Sequence, residues 1–144
     1  MSNDTKNQNG VETEELLIPS FGYELLRDFL LPDILGKDYS QLLYWSGKQV
    51  ARKFPIESTE ELPAFFHEAG WGQIEIVEEK KTELKFKLSG EIVTRRIELK
   101  KDASFQLEAG FLAEQIQRLK QKTAEAVEEE RKRKTIYITV QWDK

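Results

Sequence analysis

The stretch from Ser104 to Gln121 constrains the fold more than any other part of the chain. Phe105, Ala109, Leu112, Ile116 and Leu119 recur at helical spacing and make one apolar face of a long amphipathic helix. Leu107 and Phe111 flank that face, while Glu108, Glu114, Gln117 and Arg118 lie away from it. Gly110 and Ala113 are small and one turn apart. A glycine inside a helix costs ~1 kcal/mol against alanine, and the close approach of another backbone would offset that. Alternating segments precede and follow this helix, so it is expected to pack across the sheet they form.

The rest of the chain reads in order around that helix. Residues 1–19 are rich in Asn, Asp, Glu, Thr and Gln and cannot bury enough surface to order themselves. They read as a solvated acidic tail, with Leu16-Leu17-Ile18 as the alternative, a docking peptide. Residues 20–144 read as one domain. Ser20 caps a first helix whose apolar side is Leu25, Leu26 and Phe29, ending at Leu31 before Pro32, with one further turn closed by Gly36. Asp38 and Gln41 have the spacing of a capping box for a second helix running to Phe54. Its face is Leu43, Gly47, Val50 and Phe54, and Ser46-Gly47 in mid-helix points to a close helix contact. Ser58 and Glu61 form a second capping box, opening a third helix lined by Leu62, Phe65, Phe66 and Ala69 and closed by Gly70.

The period then changes to alternation. Segments 72–80, 83–88 and 91–100 read as a three-stranded antiparallel meander. Thr135 to Trp142 reads as a strong strand. Residues 123–130 read either as its hairpin partner, with the tip at Arg131 to Lys134, or as a prolongation of the central helix, because Ala and Glu favour helix. The expected fold class is α+β: an antiparallel sheet, made of the meander and a C-terminal hairpin, covered by about four helices.

Several functions are set aside by composition. The chain of 144 residues has no cysteine, which removes disulfides, thiolate nucleophiles and Cys-ligated zinc and fits a reducing cytoplasm. No apolar run is long enough to span a membrane, and the polar amino terminus is neither a signal nor a transit peptide. Of the net charge of −4, Asp4, Glu12, Glu14 and Glu15 against Lys6 account for −3. The nearly neutral body offers no electrostatic footprint for nucleic acid. His67 is the one histidine, and without a partner nucleophile or ligand set it reads as an exposed structural residue. Asp28, Asp33 and Asp38 read as caps and turn formers. There is no glycine-rich phosphate loop and no Gly-x-Ser-x-Gly. No catalytic residues, metal or cofactor are expected.

The order of elements is distinctive, and so are three segments. These are Leu42 to Lys48, Ser58-x-x-Glu61-Leu62 followed by Phe66 to Gly72, and Glu108 to Ala113. On these residues the chain from Ser20 onward resembles the YslB family of bacterial proteins. More remotely it is similar to the four-vinyl-reductase domain and to small core subunits of the TRAPP tethering complex. That resemblance implies helices over an antiparallel sheet, a homodimer formed through the early helices, and a hydrophobic cavity between helices and sheet. The cysteines that hold metal or an acyl chain in those relatives are missing here. The haem-based nitric oxide sensors share a distant fold relation, but this chain has no Tyr-x-Ser-x-Arg. The expectation is a cytoplasmic, non-enzymatic homodimer binding an apolar small molecule or lipid, with Leu43, Gly47, Phe66 and Phe111 lining the cavity. The competing expectation is a protein-interaction adaptor that uses the first two helices.

Overall fold

The computed structural model describes residues 16–144 and, as backbone alone, the antiparallel pairing of Thr5–Lys6 with Glu12–Thr13. The rest of the expected tail lies outside the described residues. The main sheet has four antiparallel strands: β1 Gln73–Lys80, β2 Glu83–Ser89, β3 Ala124–Lys132 and β4 Thr135–Trp142, in the spatial order β1-β2-β4-β3. One face is dry. Ile74, Leu84, Phe86, Leu88, Ala124, Ala126, Ile136, Ile138 and Val140 are buried, and the residues alternating with them largely face solvent. Residues 123–130 therefore belong to the hairpin rather than to the preceding helix. Its tip is the two-residue turn Arg133-Lys134, both at positive φ, which suits the twist of tightly connected strands. Both edge strands carry an irregularity in register, at Ile76/Glu78 and at Glu128/Glu130, which blunts their pairing with other chains.

The meander has two strands, not three. Residues Glu91–Leu99 form a helix, and the place beside β2 is taken by β4, with Phe86 opposite Ile138. Val93, Arg96 and Ile97 explain the correction, because they fall on one helical face and turn inward. The alternation of Val93, Ile97 and Leu99 fits a period of two as well, so tertiary packing decides between the readings.

Among the described residues, five helices cover or flank the sheet. Helix α1, residues 20–35, runs through Ser20–Glu24, a π-helical turn at Leu25–Leu30, and Leu31–Leu35. Pro32 does not end it. The missing proline N–H leaves carbonyls one turn back without a helical donor, and the Lys100 ammonium donates to the Asp28 carbonyl at 2.6 Å while the Tyr39 hydroxyl donates to the Arg27 carbonyl at 3.2 Å. Helix α2 is Tyr39–Lys53, and Asp38 precedes it without making the expected side-chain cap. Ser58 and Glu61 do form their capping box ahead of α3, Leu62–Glu68. Helix α4 is Glu91–Leu99 and α5 is Gln106–Lys120. Helix α5 is buried on nearly every side from Glu108 to Ala113, as befits a helix held between a sheet and another helix.

Candidate functional site

Helix α1 is built inside out. Phe21, Leu25, Leu26, Phe29, Leu30 and Ile34 are exposed, and Ile34 keeps 67% of its surface in solvent. Glu24, Arg27 and Asp28, spaced three and four apart on the opposite stripe, are buried. A buried charge and an exposed apolar stripe on one helix are the two observations that burial statistics single out as meaningful.

The charged stripe sits on a matching seat. Arg96 from α4 holds Asp28 with two parallel bonds, Nε to Oδ2 at 2.9 Å and Nη2 to Oδ1 at 2.7 Å, and donates to the Ser104 carbonyl at 2.8 Å. Arg27 donates to Glu108 Oε1 at 2.5 Å and to the Tyr23 hydroxyl at 2.7 Å. Arg95 clasps Glu24 at 2.6 and 2.9 Å from the half-exposed rim. The Arg96 guanidinium lies 4.4 Å from the centroid of the Phe105 ring. Arg96 Nη1 and Glu108 Oε2 face each other at 3.6 Å, and these two atoms and Arg27 Nε have no hydrogen-bond partner among the described residues.

The charges in this seat are balanced, three arginines against three carboxylates. Burial works against the Arg27 charge, but Glu108, Tyr23 and Tyr39 together more than offset it, so Arg27 binds its proton more tightly than a free arginine. Burial is also the main reason why the Tyr23 and Tyr39 hydroxyls are pushed above their ordinary range. Each buried carboxylate already faces a guanidinium. The arrangement is suited to anchoring a helix. A polar cavity of about 260 Å³ lies beside it, lined in part by Tyr39, Lys100, Ser104 and Arg131. Its two cations are already engaged, Lys100 by Asp28 and Arg131 by Glu128 and the Ala103 carbonyl.

The four residues expected to line a cavity lie on α2, α3 and α5. Gly47 sits where α2 crosses α5. A Cβ there would overlap the Leu107 carbonyl and stand 2.7 Å from the Phe111 amide nitrogen. Gly110 does the same from the other side, with its missing side chain replaced by the Tyr44 carbonyl. Phe66 and Phe111 are fully buried. The Phe111 ring stacks on Phe65 at 4.5 Å and meets Phe66 and Trp71 edge-on at 5.9 and 5.2 Å. Phe111 thus links Gly47 to Phe66, and Leu43 is buried on the same helix as Gly47. His67 is exposed on α3. The sequence reading missed Glu24, Arg27, Arg96 and Glu108 and took Asp28 for a turn former. Their signal is a charged stripe at helical spacing inside an apolar segment.

Comparison with known proteins follows the whole domain. The phenol-responsive sensory domain of the transcription activator PoxR, solved with phenol, superposes with a TM-score of 0.62 at 13% identity, over 97% of this chain and 85% of that one. A vinyl-4-reductase family protein of Methanocaldococcus jannaschii superposes with a TM-score of 0.60 at 21% identity, over 92% of this chain and 85% of that one. An H-NOX protein from K. algicida gives 0.55 at 10% identity, over 97% and 82%. These likenesses establish a shared fold. Among the described residues no helix is long and apolar enough to cross a membrane. The uncharacterized protein YslB of Bacillus subtilis (strain 168) is 51% identical over 131 residues, 90% of this chain and 88% of that protein. Residues 20–141 match the family described as protein of unknown function, DUF2507, and the chain belongs to that family.

Proposed function

We propose that this chain is a non-enzymatic cytoplasmic domain that works as a homodimer, formed by apposing the outward apolar face of α1 on two copies. The inside-out α1 carries this reading. Phe21, Leu25, Leu26, Phe29, Leu30 and Ile34, joined by Leu42 and Trp45 of α2, leave on the order of 800 Å² in solvent, which matches the share of each partner in a standard-size interface. The stripe contains no basic residue, and Asp33 is its one acidic member, so two copies meet without strong like-charge repulsion. A helix presenting one apolar face fits an isologous two-fold contact, in which the same patch serves both subunits. Sedimentation equilibrium of the purified chain tests the reading. A dimer is expected in wild type and a monomer in Leu25→Glu; a wild-type monomer at tens of micromolar sinks it.

A second reading, binding of an apolar small molecule, is supported by the fold shared with a sensory domain solved with phenol. The interior around Phe66 and Phe111 is packed, so a ligand there must displace rings. Native mass spectrometry of the purified protein separates the two: a co-purifying molecule favours the ligand reading, and an empty dimer favours the interaction module.

A further inference from the structure

We propose that Asp28, Arg96 and Glu108 are positioning residues for the dimer interface. By fixing which face of α1 points outward, they set the affinity of the dimer without touching the partner. The inference rests on the self-association reading.

Apolar burial alone would turn α1 over. Six large apolar side chains face solvent while three charged ones face the body. The seat opposes that rotation. Arg96 and Glu108 are fully buried on α4 and α5, and a turned helix would take from them the hydrogen-bonded partners Asp28 and Arg27, leaving the two only their longer 3.6 Å contact with each other. Buried charges stripped of their hydrogen bonds are unfavourable, more so than an exposed leucine. The two carbonyls near Pro32 add a second constraint on rotation, because Lys100 and Tyr39 reach them from fixed points on the body. Arg95 on Glu24 holds the same face from the rim. Buried ion pairs of this kind add little net stability, since apolar residues of similar volume often replace them without loss. Their effect here is orientation. Stability and association should therefore respond differently to their removal.

The decisive variant is Asp28→Leu with Arg96→Met, made in the full chain and measured by sedimentation equilibrium and thermal melting. The expected result is a folded protein with an unchanged or higher Tm and a dimer Kd raised by at least about tenfold. A folded variant with the wild-type Kd overturns the proposal. Should the double variant fail to fold, Arg95→Met, which strips from buried Glu24 the guanidinium that clasps it at the rim, takes its place. It should quicken amide exchange across residues 20–35 and raise Kd by about threefold, and an unchanged Kd overturns the proposal. Should wild type itself be monomeric, the dimer reading has failed, and bis-ANS, a dye for exposed apolar surface, decides the orientation. The double variant should bind less dye than wild type, and equal binding overturns the proposal.

Discussion

The two regions flanking α5 are held together by opposite chemistry. On one side, α2, α3 and the sheet meet it through backbone contact and rings: Gly47 on Leu107 and Phe111, Gly110 on Tyr44, and Phe111 among Phe65, Phe66 and Trp71. On the other side, Glu108 of the same helix reaches α1 through a guanidinium. The first region is dry and filled, and it resembles a protein interior anywhere. The second keeps charge inside and apolar surface outside. The difference teaches that α1 is not simply one more covering helix. Its inner face is specified by charge pairing, which leaves its apolar residues for another molecule.

The largest effect expected is at the crossing. Gly110→Val should cost more than about 4 kcal/mol, because the side chain must occupy the space of the Tyr44 carbonyl and neither backbone can retreat cheaply. Urea unfolding checks it; a loss under 1 kcal/mol would show that the helices separate freely. Gly47→Leu, an obvious probe for a cavity at that position, should likewise read out the crossing and lower stability whatever is bound. Next comes the seat. Arg96→Ala strands Asp28 and should cost about 3 kcal/mol, the lower end for a broken buried pair, since the Lys100 ammonium still holds the Asp28 backbone carbonyl. A neutral outcome would mean that water already solvates Asp28, and the contrast between the two regions would weaken.

The dry region was legible in the sequence and the charged one was not. Phe105, Ala109, Leu112 and Ile116 announce the buried face of α5 because apolar spacing and burial coincide there. The small residues at Gly47 and Gly110 announce a close crossing for a similar reason: a helix rarely carries a glycine without a contact that needs it. Glu108 reads as solvent-facing because a carboxylate is nearly always exposed unless paired, and its partners lie some eighty residues earlier in the chain and on a segment with an ambiguous period. That segment, Glu91–Leu99, is where the strand reading failed, so Arg96 had no visible place. Leu43, Gly47, Phe66 and Phe111, expected to line a cavity, all lie on α5 or on the helices beside it, and composition cannot distinguish a pocket from a packed interior there.

A smaller thermodynamic effect with a larger functional one is expected on the outward face. Leu25 keeps 46% of its surface in solvent, and Leu25→Glu should change the monomer's stability by less than about 0.5 kcal/mol. Its consequence should be in association, measured by sedimentation equilibrium against protein concentration. A drop of several kcal/mol in monomer stability would mean that Leu25 packs inward, and the inside-out description of α1 would fail with it.

The smallest effect sharpens the comparison from the rim of the first region. Tyr44, on the exposed flank of α2, donates to Glu125 at 2.6 Å and accepts from the Ala126 amide at 2.9 Å, while Lys48 also reaches Glu125 at 2.7 Å. Partial burial, and then the hydrogen bond to Glu125, push the Tyr44 hydroxyl above its ordinary pKa. Burial alone would raise Glu125, but Lys48 and Tyr44 together hold it below the usual carboxylate range. For a hydroxyl raised on folding, the stabilisation is complete below the unfolded value of about 10 and fades as the unfolded chain begins to lose that proton while the folded one keeps it. Tyr44→Phe should therefore cost about 1 kcal/mol at neutral pH, and the gap to wild type should narrow as pH climbs past about 10. Denaturation series at neutral and alkaline pH give both numbers. The seat's own hydroxyl, Tyr23 on Arg27, is kept in Arg96→Ala, so that variant should show no such narrowing, and a parallel alkaline response in the two variants would show that the exposed link and the buried seat behave as one network.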